Sequence, residues 1–286
     1  MAVLPKLDLY ARAVSDRDEI AAYLRTDRIY AAYALGDLDG PNRHRCSWGI
    51  AYDDLGRPIA LVMQQEGLIP EPMFLMGDPA GCREILDTVV RPRDAYLMGT
   101  EAIDAAVDDL YDLDPPQYLL RMAVDEATFR PFAGPTESLT GDDIEDLNRL
   151  YQLGFRGGFA ASVLEDGVYH GMRVRGRLVS AAGTHVINQR EGIAVVGNVM
   201  THIDYRGHDF AKMVTSAVTG ELLQRVPDVA LNVHADNDPA VAAYRRLGYR
   251  DTDLLTERLG RRRSGGWGLM RPIREAIRLP WQREPR

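Results

Sequence analysis

The stretch NVMTHIDYRGHDFAKMV, residues 198–214, carries a β-type apolar run into a turn at Arg206 and Gly207, then into helical spacing. A strand that turns directly into a helix leaves the first helical N–H groups unpaired. It also sets the positive end of the helix dipole at the mouth, so the junction is an anion cradle. Gly207 lets a phosphate approach the backbone closely. Taken alone, the segment fits a plain strand-to-helix turn equally well. Just upstream, Gly197 and Asn198 interrupt the apolar run GIAVVGNVMTHI (192–203), and a β-bulge is expected there.

About thirty residues on, LNVHADNDPAVAAYRRLGY (231–249) reads as a strand, then a helix opened by Asp238 and Pro239, closed by Gly248 before a strand at Tyr249. The two segments together resemble the acyl-CoA-binding core of the GNAT superfamily of N-acetyltransferases. That core runs as strand, R-G-x-G-x-A opening a helix, strand, then N-x-x-A-x-x-x-Y-x-x-x-G-[FY]. The matching positions are Arg206, Gly207 and Ala211, then Asn237, Ala240, Tyr244, Gly248 and Tyr249; Asp209 stands where the second glycine is usual. The resemblance covers roughly residues 136–259. A carboxylate at 209 is expected to repel a pyrophosphate and weaken the cofactor's hold.

The resemblance implies acetyl-CoA as co-substrate. The pantetheine arm would lie along Val199, Met200 and Thr201, and the pyrophosphate would sit among Arg206, Gly207, His208, Asp209, Phe210, Ala211 and Lys212, with Asn237 and Ala240 in the second motif. It also implies that Tyr244 protonates the departing thiolate. A phenol of pKa about 10 can serve a thiol near 8.5 if the two are close. Asn237 lies seven residues before Tyr244, two helical turns, so both can share one face. The acceptor amine has to lose a proton, an alkyl ammonium having a pKa near 10.4. The strand GIAVVGNV has no carboxylate where many relatives carry one, which leaves Glu165, Asp166, Glu191, His185 and His202 as base candidates, each with an ordinary structural reading. Direct attack on the thioester, with water carrying the proton, needs no covalent enzyme intermediate.

Outward from this core, the chain reads as two similar halves. Ser15 with Asp16 and Asp18 is expected to cap an opening helix, and WGIAYDDLGRPIALVMQQ (48–65) to form a hairpin turning at Gly56. A strand, helix, strand and helix follow to Pro115 and Pro116, then the strand YLLRMAV (118–124). In the second half Thr140 with Asp143 makes a capping box, and GVYHGMRVRGRLVSAAGTHV (167–186) is a hairpin turning at Gly176. The repeated order implies a duplicated fold. The linker RPFAGPTES (130–138) divides it into a degenerate GNAT-like domain at 1–132, an acyl-CoA-binding domain at 133–260 and an Arg-rich tail at 261–286. The fold class is α/β of the α+β type, two GNAT-like domains, each a mixed and mostly antiparallel sheet flanked by helices. The first copy has MGDPAGCREI (76–85) where the phosphate turn would be, without Arg-Gly and with Asp78; it is expected to shape the acceptor cleft instead.

Composition sets the outer limits. The 286 residues are 45% apolar and 27% charged, an ordinary globular balance. The start lacks a leader pattern and no window holds 18 apolar residues, so a cytoplasmic location with no membrane partner is expected. Cys46 and Cys82 cannot frame disulfides, and His170, His185, His202, His208 and His234 lack metal-ligand spacing, so no metal is expected. With Lys6 and Lys212 the only lysines, there is no Gly-Lys phosphate loop. The net charge of −8 argues against nucleic-acid binding. Residues 1–133 carry −10, which favours a cationic amine, small molecule or peptide, as acceptor. The tail carries +6 and is expected to dock on protein, either on that acidic half or on a second subunit of a homodimer. Two rival functions remain at this level: a non-catalytic acyl-CoA sensor or interaction module, and a transferase drawing its acyl group from tRNA.

Overall fold

A computed structural model describes residues 9–40, 43–152 and 159–263. The described residues form two compact units, one of residues 9–122, 233–237 and 251–263, the other of residues 123–232 and 238–250.

The first unit opens with a strand, β1 (Tyr10–Val14), ahead of the expected helices α1 (Arg17–Leu24) and α2 (Ala32–Asp39). β1 is held by antiparallel pairing with β2 (Cys46–Tyr52), a non-local bond set that periodicity does not announce. Asp16, not Ser15, caps α1: its carboxylate accepts from Asp18 and Glu19 N–H at 2.8 and 3.0 Å, and a charged acceptor suits the positive helix end better. Then come β3 (Pro58–Gln65), β4 (Glu71–Gly77), α3 (Pro79–Thr88), β5 (Asp94–Gly99), α4 (Glu101–Val107), β6 (Tyr111–Leu113) and β7 (Gln117–Asp125). β1 to β4 are joined antiparallel and β4–β5 parallel. Val62, Leu75, Ile85, Leu97 and Ile103 form the core beneath α3. Each such side chain contributes roughly 1.5–3 kcal/mol by leaving water.

The second unit runs β8 (Glu137–Ser138), α5 (Ile144–Tyr151), α6 (Ser162–Asp166), β9 (His170–Val174), β10 (Arg177–Asn188), β11 (Ile193–Thr201), α7 (Phe210–Leu222), β12 (Asp228–His234) and α8 (Asp238–Arg246). Its sheet order is β12-β11-β10-β9-β8, with β11–β12 alone parallel. The β9–β10 turn has Arg175 and Gly176 at φ 51° and 80°, the two positive angles a tight hairpin needs. The Thr140–Asp143 capping box is present, opening a 3-10 turn before α5. The two units share one order of elements: strand, two helices, three antiparallel strands, helix, parallel strand, helix.

One strand departs from the expected division. β13 (Arg250–Arg262) follows α8 in the chain, yet from residue 251 it belongs to the first unit. There it pairs antiparallel with β5, from Thr256↔Gly99 to Arg261↔Asp94, and also with β6. The units therefore interleave, rather than meeting at cuts near 132 and 260. Arg261 and Arg262, read as the start of the tail, lie in this strand, and Arg262 donates to the Leu86 carbonyl at 2.7 Å. The rest of the tail, with Trp267, Ile273, Ile277, Leu279 and Trp281, lies outside the described residues. Among the described residues no helix is long and apolar enough to cross a membrane.

Candidate functional site

Parallel pairing between β11 and β12 runs from Ile193↔Asp228 to Val196↔Leu231 and stops there. The β10–β11 register then jumps from Gly183↔Gly197 to Ala181↔Met200, so β11 carries an extra residue at this point. The bulge falls at Gly197 and Asn198, as the interrupted apolar run implies. Asn198 takes φ 52°, a left-handed angle that asparagine tolerates better than most residues. Three side-chain bonds pin it. Tyr151 Oη donates to the Asn198 carbonyl, Asn198 Nδ2 donates to Tyr169 Oη at 2.9 Å, and Tyr169 Oη donates to the Thr184 carbonyl at 3.2 Å. Met200 and Thr201 stay paired with β10 on one edge, while toward β12 their edge has no ladder partner among the described residues. Tyr151 and Tyr169 had no signal in the sequence; their partners stand 47 and 29 residues away.

The same strand runs into the phosphate-type turn. His202 accepts the Asp204 N–H at Nδ1 (3.2 Å) and so caps a 3-10 turn, Ile203–Tyr205. Gly207 follows at φ 80°, with nothing within 4 Å of the place a Cβ would take, and Asp209 at φ 60° before α7 begins. Among the described residues no hydrogen bond to the backbone N–H groups from Gly207 to Lys212 is found, as expected of a free helix start. Asp209 is thus a non-glycine residue holding the left-handed position for which glycine is usual. Its charge is also not left bare: Asp209 Oδ1 lies 2.9 Å from Nζ of buried Lys212, which sits 3.9 Å from the centre of the Phe132 ring. Lys212 is engaged by Asp209 and Phe132. His208 stacks on Phe210 with ring centres 5.7 Å apart.

Tyr244 projects from α8 into the interior and is 7% exposed. Its hydroxyl has no hydrogen-bond partner among the described residues, and burial pushes its pKa up to about 12. Burial first, then Tyr169 and Tyr244, hold the Tyr151 phenol well above its ordinary value. Tyr249 N–H donates to the Tyr244 carbonyl at 3.1 Å, closing the helix end. Ala240 lies within α8, and Asn237 immediately precedes that helix with its N–H on the His234 carbonyl at 3.0 Å.

The proton-acceptor candidates separate. Glu191 lies in the β10–β11 hairpin turn, at the end of β11 away from the bulge. Glu165 and Asp166 end α6, and His202 is occupied as a turn cap. His170 reaches Glu221 of α7 at 2.9 Å. His234 belongs to the first unit's residues. His185 alone packs directly on the bulge strand, against Gly197. Cys82 is buried with its thiol pushed up to about 12 by burial, which makes it unreactive.

Residues 169–259 match the model of the FR47-like protein family. Among solved structures, the chain is similar to a GCN5-related N-acetyltransferase from Kribbella flavida, at 17% identity and TM-score 0.59 over 82% of this chain and 94% of that one. A GCN5-related N-acetyltransferase from Sphaerobacter thermophilus matches at 17% identity and TM-score 0.56, over 91% and 98%. A tandem GNAT protein from the clavulanic acid biosynthesis pathway matches at 13% identity and TM-score 0.51, over 89% and 98%. Residues 169–259 thus match the FR47-like family model, and the fold of most of the chain is similar to that of these acetyltransferase structures.

Proposed function

We propose that the second unit binds acetyl-CoA and transfers its acetyl group to a primary amine by direct attack, with Tyr244 as the proton donor to sulfur. One observation carries this reading: β11 loses its β12 partner at a pinned bulge, and the same strand ends in a turn of free N–H groups at a helix start. An extended pantetheine arm can hydrogen-bond to the unpaired edge of Val199–Thr201, and the pyrophosphate can take the N–H groups around Arg206 and Gly207. The ion pair of Asp209 with Lys212 removes most of the repulsion that a bare carboxylate would bring, which weakens the case for a crippled site. Tyr244, pushed up to about 12, stays protonated at neutral pH. The desolvation that raises the phenol also acts on the thiolate beside it, so a proton passes between two groups shifted in the same direction.

The first unit, by this reading, is the degenerate copy. Its α3 is already capped by Asp78, whose carboxylate accepts the Gly81 N–H at 2.9 Å, and Pro79 offers no N–H. The carbonyl of Leu75 on β4 is taken by Tyr30 Oη at 2.7 Å. A phosphate would meet a carboxylate there instead of free amides. Its excess of acidic residues suits it to guide a cationic amine.

Isothermal calorimetry with coenzyme A, followed by thiol release from acetyl-CoA over a panel of amines, tests the assignment. Heat of binding and amine-dependent thiol release are expected; absence of both sinks it. Tyr151→Phe removes one bond from the bulge clamp, and an isolated hydrogen bond contributes about 0.5–1.5 kcal/mol. Coenzyme A affinity is expected to fall by roughly two- to tenfold, while an unchanged dissociation constant would show that the clamp does not set the binding edge.

A further inference from the structure

We propose that His185 is the proton acceptor for the attacking amine, an assignment that rests on the acetyl-transfer reading above. Two irregularities in neighbouring strands converge on this one imidazole. On β10 the register with β11 shifts between Thr184↔Val196 and Val186↔Val195, so His185 is the extra residue of a second bulge. A bulge re-aims the side chain it carries. On β11, Gly197 has no side chain where the ring lies: a Cβ built there would fall 1.8 Å from Cδ2 and 2.1 Å from Nε2 of His185. The glycine is therefore required by the histidine, which rests on the backbone of the strand it faces.

The place where it rests is what gives it a task. Gly197 is the first residue past the last β11–β12 pair, at the head of the edge that would receive the thioester. His185 is exposed to solvent there, so a proton taken from the amine has a way out. Glu191, Glu165, Asp166 and His202 are placed or engaged elsewhere, as described above.

The step balances. The imidazole first takes one proton from the bound ammonium and passes it to solvent. The neutral amine then attacks the carbonyl carbon, and as the carbon–sulfur bond breaks the thiolate takes the Tyr244 proton. The second nitrogen proton returns through water to the phenolate, leaving amide, free thiol and one proton in solvent.

The test compares wild-type protein, His185→Gln and His185→Asn. Thiol release from acetyl-CoA is measured with alkylamines, which arrive as ammonium ions, and with alkoxyamines, which are already neutral at pH 7. Both variants are expected to keep coenzyme A affinity within about twofold. They should lose about 10²-fold in kcat with alkylamines, the usual scale of a general base, and less than threefold with alkoxyamines. An equal loss with both amine classes, or no loss with either, overturns the assignment. Wild-type protein that binds no coenzyme A, or releases no thiol with any amine, overturns the acetyl-transfer reading and this one with it. Wild-type turnover with an unselective variant overturns His185 alone.

Discussion

Tyr244→Phe is expected to lower acetyl-CoA thiol release about 10²- to 10⁴-fold, the range of a lost general acid, while coenzyme A affinity stays within about twofold. The substitution deletes one oxygen from a side chain 7% exposed whose hydroxyl has no hydrogen-bond partner among the described residues. No protein bond is lost with it, so stability should change little. The ring still packs near Tyr249, 6.1 Å between centres. Single-turnover kinetics beside calorimetry separate chemistry from binding. A variant that turns over at the wild-type rate would remove Tyr244 from the mechanism, and one that loses coenzyme A binding would make it a structural residue.

Gly248→Ala is expected to produce the largest loss of stability in the second unit, about 4 kcal/mol or more, which places it among exceptional single substitutions. Gly248 has φ 94°, and a Cβ there would stand 1.9 Å from the Thr128 carbonyl oxygen and 2.8 Å from its carbon. That neighbour is backbone, held in turn by the Thr128 N–H on Asp125 Oδ1 at 2.8 Å and the Arg130 N–H on the Leu247 carbonyl at 2.9 Å, so it cannot yield cheaply. At about 2–4 °C per kcal/mol for chains of this size, the melting transition should drop by roughly 10 °C. Gly248→Asn separates two causes. Asparagine tolerates a positive φ but brings the same Cβ, so it should rescue little. Recovery of most of the stability by asparagine would show that backbone angle, not the Thr128 contact, fixes the glycine.

Local sequence determined a good deal. The turns at Gly56 and Gly176, the Thr140–Asp143 capping box and the bulge at Gly197 and Asn198 were all legible, because each depends on a backbone angle or a bond between residues a few positions apart. Most of the order of elements was legible for the same reason, but not the strands β1 and β8 that open each half, nor α6. Lys212 and Asp209, three apart on one helical face, could have been paired from sequence, but the burial of Lys212 under Phe132 could not.

Tertiary structure alone decided the rest. β13 pairs with β5, although they lie more than 150 residues apart, and Tyr151 finds the Asn198 carbonyl. His185 earns its place only because a glycine twelve residues on leaves room for its ring. Strand pairing and side-chain clamps join groups that share no local pattern; their bonds become visible only once the chain has placed both partners. Local sequence therefore specified which segments are strands, turns and helices. Non-local packing chose the strands with which the last strand pairs, and it gathered the tyrosines and the histidine around one break in pairing.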